Sequence, residues 1–208
     1  MKIAYGVCVG SWERFHRYVE PRVAGRPLTV MHGQPSITVA YNQILDAYRG
    51  RDDTDALVLL HEDLEIIDPD FEAKVGWELE CPDVALVGVA GGRGVTSLAW
   101  WEAPQRFGHQ LTDSGLLELG PRRGDVDSLE GSLLVFSRWA IDNLSYDERM
   151  TGFHCCDEIC IRAVRAGKAV VVADIDTHHH TVVGAFKSEA ARTEWFANDK
   201  FYREREQL

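Results

Sequence analysis

The chain has no stretch near the roughly 20 consecutive apolar residues that cross a bilayer. Its opening MKIAYGVCVG runs into Trp12 and Glu13 without a small-residue cleavage pattern. A cytoplasmic protein without a transmembrane segment is therefore expected. Basic runs are also missing. With 22 Lys and Arg against 33 Asp and Glu, the net charge is −11. That balance argues against nucleic acid as a partner, because phosphate-backbone binding needs a basic stripe to release counterions. Cysteine is sparse and odd in number, five in all, with none in CxxC spacing. This excludes a thiolate zinc site or a disulfide framework and leaves packed, reduced thiols. Neither HExxH nor the Lys-Ser/Thr of a phosphate-cradling loop occurs. The glycines of GVAGGRG, 88–94, do not form GxGxxG after a first strand, although they would let backbone approach a ligand, and Arg93 there could pair with phosphate. An acidic chain that binds an anion needs a divalent cation or a few placed arginines.

Apolar residues make up 45% and charged residues 26% of the 208 residues, enough for one sizeable core and a single domain. IAYGVCV (3–9), LTVMH (28–32), ALVLL (56–60) and VALVGVA (84–90) read as buried strands. Between them, Ser11 to about Val23 reads as a helix. So does Ser36 to Arg49, with apolar residues at 37, 40, 41, 44, 45 and 48, Ser36 as N-cap and Gly50 as stop. Asp68-Pro69 opens a further helix. This alternation predicts an α/β fold with a Rossmann-like, mostly parallel central sheet covered by helices. After Gly94 the rhythm turns irregular or antiparallel, then continues with a strand at 132–136, a helix at 155–166, a strand at 168–175 and a charged helix from Ser188.

In open α/β sheets ligands bind beyond the carboxyl ends of the strands. Those ends are Val9-Gly10-Ser11, His32-Gly33-Gln34, His61 to Glu65, Gly91-Gly92-Arg93 and Asp176 to His180. Asp63 and Glu65 would project to one side of an extended segment, where carboxylates suit Mg²⁺ or Mn²⁺. In DTHHHT, 176–181, His178 and His180 share a face and His179 takes the other, so at most two would meet one ion. Asp157 and Glu158 open a helix, where acids either complement the dipole or supply a general base.

Taken together, LVLLHEDLEIIDPDF, VDSLEGSLLVFSR (126–138) and YDERMTGFHCCDEICIRAVRAGKAVVVADIDTHHHT resemble the GT-A glycosyltransferases. More narrowly, they resemble small glycosyltransferase-like relatives of the large inverting family that uses nucleotide-diphospho sugars. The likeness covers roughly 1–185. It implies a domain over 1–187, with a nucleotide-binding half at 1–94 and a sugar and acceptor half at 95–187, followed by a helical extension at 188–208. It also implies a nucleotide-diphospho sugar donor, a hydroxyl-bearing acceptor, and Mn²⁺ or Mg²⁺. Asp63 would sit at the metal with Glu65 behind it, and His178, His179 or His180 would complete the metal or phosphate contacts. Val9, Gly10, Gln34, Asn42, Gly91, Gly92 and Arg93 would line the donor site, with Glu130 and Gly131 beside the sugar. Asp157 or Glu158 would be the base. Here Glu65 stands where the family's second acid is Asp, and Glu130 replaces the more usual Asp before Gly131.

The competing readings are a nucleotidyltransferase, which would carry a basic Gly-rich loop after the first strand where GVCVGSWER offers Arg14, a non-catalytic GT-A homologue, and a His/Cys metal-binding protein. The last helix packs on the domain, closes over the acceptor, or pairs two copies as a homodimer.

Overall fold

The computed structural model describes residues 1–96, 98–150, 152, 155–181 and 189–206. The Phe153-His154 part of the third motif and the 187/188 boundary lie outside them. In chain order the strands and helices are β1 (Ile3–Val9), α1 (Trp12–Arg14, running into a π-helical turn, Phe15–Val19), β2 (Leu28–His32), α2 (Ile37–Tyr48), β3 (Ala56–His61), β4 (Leu64–Ile66), α3 (Phe71–Glu78), β5 (Val84–Gly88), β6 (Ala90–Arg93), β7 (Gln105–Thr112) and β8 (Gly115–Glu118). They continue with β9 (Gly124–Val126), β10 (Ser128–Leu129), β11 (Leu133–Ser137), α4 (Arg138–Asn143), α5 (Cys155–Arg165), β12 (Ala169–Val172), β13 (Thr177–His179) and α6 (Glu189–Glu206).

The main sheet has the order β2-β1-β3-β11-β5-β12-β9. It is mixed, which corrects the expectation of a mostly parallel one. β2, β1 and β3 are mutually parallel, as are β5 and β12, but β11 runs antiparallel between β3 and β5 and β9 antiparallel along β12. β11 enters at the carboxyl end of β3, pairing Leu133 with Leu60, after the antiparallel segment has already turned the chain back. Apolar patterning reports burial, not strand direction, so this insertion left no mark on the periodicity. A second sheet, β10-β6-β7-β13-β4 with β8 on β7, lies across the carboxyl side. The expected strand 84–90 breaks after Gly88 so that Ala90 to Arg93 can join it, and the expected strand 168–175 stops at Val172.

β3 is buried along its first five residues because both faces are covered. Leu57 and Leu59 pack with Tyr41, Ile44 and Leu45 of α2, while Val58 and Leu60 pack with Val7, Phe15 and Val75 on the other side. Each such side chain contributes about 1.5–3 kcal/mol on burial. Ser36 caps α2 as expected, its hydroxyl accepting from Val39 N at 3.2 Å. α6 packs on the domain through Tyr202, buried with Leu98 and Met150. Among the described residues no helix is long and apolar enough to cross a membrane.

Candidate functional site

The carboxyl ends of β1, β2 and β3 lie side by side, with Val9 paired to His32 and Cys8 to His61. Just past β3 a turn at Glu62-Asp63 swings the chain into β4, which pairs antiparallel with β13. The turn folds Asp63 inward: it is 4% exposed, and ligand atoms of His61, Asp63 and His179 all lie within 4.8 Å of one another. His179 Nε2 stands 3.3 Å from Asp63 Oδ1, Arg14 Nη1 donates to Asp63 Oδ2 at 2.7 Å, and His180 N donates to the Asp63 carbonyl at 2.8 Å. Two imidazoles and a buried carboxylate form a donor set that a divalent transition metal accepts, and Mn²⁺ tolerates it better than the oxygen-seeking Mg²⁺.

Glu65 does not join this group. The turn at residues 62 and 63 breaks the extended geometry that would have put both acids on one side, so the expected Asp63–Glu65 pairing is corrected. Glu65 faces His178 across the β4–β13 ladder and forms a second group with His178 and His180. Burial works against the Glu65 carboxylate, but hydrogen bonds from Arg22 and His180 outweigh it and hold its pKa below the usual value. Neighbouring side chains on a strand point to opposite faces. His179 accordingly turns towards Asp63, while His178 and His180 turn away from it.

Glu130 and Gly131 form the turn between β10 and β11, beside the end of β3. His61 N donates to the Ser132 carbonyl at 2.9 Å, Glu130 accepts from both the backbone and the hydroxyl of Ser132, and Gln110 Nε2 donates to that hydroxyl at 3.0 Å. A Cβ on Gly131 would stand 2.4 Å from Cys156 Sγ, so only glycine lets this turn rest on the start of α5. Asp157 is 4% exposed and accepts from the buried Ser128 hydroxyl at 2.6 Å. Glu158 points the other way, towards α6, where its Oε1 accepts from Arg162 Nε and from Arg205 Nη2 at 2.9 Å. The adjacent thiols are packed: contact with Cys155 and burial push the Cys156 pKa well up, and burial does the same for Cys160.

The remaining expected donor contacts divide. Val9 and Gly10 lie at the edge, the Val9 carbonyl 2.9 Å from His32 Nδ1 and Gly10 beside the Glu62 carboxylate. Gln34 lies past β2, its Oε1 accepting from Gln43 at 3.1 Å. The others make contacts within the protein. The Asn42 amide is committed to protein, accepting from Tyr146 N at 2.8 Å and donating to Tyr146 O and Glu148 Oε1 at 3.0 and 2.9 Å. Gly91 and Gly92 serve close strand packing, since a Cβ there would stand 2.4 Å from Ser128 O and 2.5 Å from Trp100 O. Arg93 donates to the Asp125 carbonyl at 2.8 Å and lies over Phe107. Sequence reasoning had not placed Arg14, His61 or Ser128 among the site residues. The signal available was the position of His61 at the carboxyl end of β3.

No family model matches the chain. The streptomycin biosynthesis protein StrF of Streptomyces griseus is 34% identical over 187 residues, 86% of this chain and 66% of StrF. The chain thus spans just under two thirds of this curated relative. Among solved structures, GalNAc-T7, crystallised with UDP, GalNAc and Mn²⁺, superposes with a TM-score of 0.63 at 8% identity, covering 96% of this chain and 48% of that one. The fold is glycosyltransferase-like. A197 from STIV matches at a TM-score of 0.58 and 12% identity, covering 88% of this chain and 87% of that one. At such identities the likeness speaks to the fold alone.

Proposed function

We propose that the protein is a glycosyltransferase that moves a sugar from a nucleotide-diphospho sugar to an acceptor hydroxyl with inversion, its transferase domain spanning 1–187 and its helical extension 188–208. The observation that carries this is the convergence of Asp63, His61 and His179 at the carboxyl edge, with the Glu130–Gly131 turn beside them and Asp157 just beyond. The fold shared with a protein crystallised with UDP, GalNAc and Mn²⁺ supports it, as does the likeness to a biosynthetic protein.

Asp63, His61 and His179 would hold the divalent ion, Mn²⁺ in preference to Mg²⁺. When bound, the ion offsets the charge that develops on the departing nucleoside diphosphate. Arg14 brings a fixed cation to the same place and adds to the attraction for phosphate. Glu130, oriented by its bonds to Ser132, borders the sugar. Asp157 takes the proton from the acceptor hydroxyl, its carboxylate oriented by the Ser128 hydroxyl, which donates to Oδ1. Attack from the face opposite the leaving diphosphate inverts the anomeric carbon. Glu158, engaged by two arginines, is a structural acid.

Nucleotidyl transfer would use the same cation-binding edge and the same Arg14, and the products separate the two. Incubation of the full chain with nucleotide sugars, Mn²⁺ and a panel of hydroxyl acceptors should release nucleoside diphosphate and give a product of inverted anomeric configuration by NMR. Pyrophosphate release from a nucleoside triphosphate and a sugar phosphate would establish the nucleotidyl reading instead.

A further inference from the structure

We propose that β4 and β13 build a second metal site, for Zn²⁺, from Glu65, His178 and His180, with Asp113 at the end of β7 supporting the two rings, on the opposite face of β13 from Asp63. Two adjacent strands supply it in register. Glu65 of β4 is the direct antiparallel partner of His178, so the two side chains share a face, and His180, two residues on, returns to that face. β7 lies parallel on the other side of β13, and Asp113 just past its end donates its N–H to the Thr181 carbonyl at 3.1 Å, which brings its carboxylate beside the two rings.

The spacing fits one ion. Ligand atoms of Glu65, His178 and His180 all lie within 4.8 Å of one another. His180 Nε2 is 3.1 Å from Glu65 Oε2, while Asp113 Oδ1, 3.3 Å from His178 Nε2, faces the other nitrogen of His180, Nδ1, at 3.5 Å and so braces the rings from outside that set. Tetrahedral ligands on bonds of about 2.0–2.1 Å stand about 3.4 Å apart. Two imidazoles with one carboxylate, leaving a fourth position for water, suit Zn²⁺ better than Mg²⁺ or Ca²⁺. His178 Nε2 is buried and makes no hydrogen bond, the Asp113 carboxylate oxygen standing 3.3 Å away. The surroundings also suit a metal. Arg22 binds Oε1 of Glu65 and turns Oε2 towards the histidines, and the Tyr18 ring covers His180 at 3.5 Å between centroids. An ion there would staple β4 to β13 and so fix the strand that presents His179 to Asp63.

The test uses the full chain, stripped with chelator and titrated with Zn²⁺ alone against a chromophoric competitor. The Asp63→Asn variant, disabled at the other group, should still bind one equivalent. Adding His178→Ala or His180→Ala should weaken that equivalent by about 100-fold or more, and adding Asp113→Asn by about 10–100-fold. Should either histidine variant fail to fold by circular dichroism, the half-exposed Asp113 provides the same comparison. Loss of all zinc binding in Asp63→Asn, or unchanged affinity after the added substitutions, overturns the proposal. Neither result bears on sugar transfer, which is read by nucleotide-dependent stabilisation with Mn²⁺.

Discussion

Two regions of the molecule bury acidic side chains and treat them differently. At the carboxyl edge Asp63 lies among His61, His179 and one arginine. Beneath α6, Asp147 and Glu158 lie among Arg149, Arg162 and Arg205, and a surface pocket there is lined by those arginines and Arg165. An imidazole can lose its proton to solvent and give the freed lone pair to a metal that a carboxylate then shares, whereas guanidinium ions keep their charge at any pH the protein meets. The first region therefore offers the donor set that the proposed divalent cation would use. The second is a balanced ionic joint between α5, α6 and the residue 147–149 segment.

Substitutions should expose that difference. The largest effect belongs to Asp63→Asn, which should remove Mn²⁺-dependent donor binding and take transfer below detection, read by titration calorimetry and product formation. Next, Asp157→Asn should leave donor affinity intact and lower kcat by about 10²–10⁴-fold, the range of general base catalysis. Normal transfer by Asp157→Asn together with its loss in Glu158→Gln would reverse the assignment of these neighbours. Glu158→Gln itself should cost about 1–3 kcal/mol in denaturant unfolding, because its arginine partners keep some access to water, and should not change kcat per folded molecule. The smallest effect is on acid stability. Hydrogen bonding from Arg149, aided by Arg205, pushes the Asp147 pKa down to about 2 from 3.8. A depressed carboxylate stabilises the fold above its unfolded pKa, and that contribution is lost as pH falls from about 4 towards 2. Asp147→Asn should flatten the fall in Tm over that window by the same amount.

Much of this was readable before the fold was known. β1, β3 and β5 stand out because strands covered on both faces read as unbroken apolar runs, and α2 because Ser36 and Gly50 bracket its periodicity. The division of His178 and His180 from His179 follows from strand alternation alone. The antiparallel entry of β11 was not readable, since a short apolar run has no direction. The separation of Asp63 from Glu65 depends on a two-residue turn at Glu62-Asp63 that carries neither Gly nor Pro. Arg14 and Ser128 reach the site through contacts distant in sequence, as do the bonds that occupy Asn42 and Arg93, and no local pattern reports those.

The central claim is that the Asp63 edge binds a nucleotide-diphospho sugar through a divalent ion. Thermal unfolding of the full chain with UDP, GDP and dTDP sugars, each with and without Mn²⁺, tests it most directly. At a donor concentration of 100 times Kd, Tm should rise by about 5–10 °C only when donor and Mn²⁺ are both present, and Asp63→Asn should abolish the rise. The account is contradicted if no donor raises Tm with Mn²⁺, or if Asp63→Asn responds like the unaltered protein.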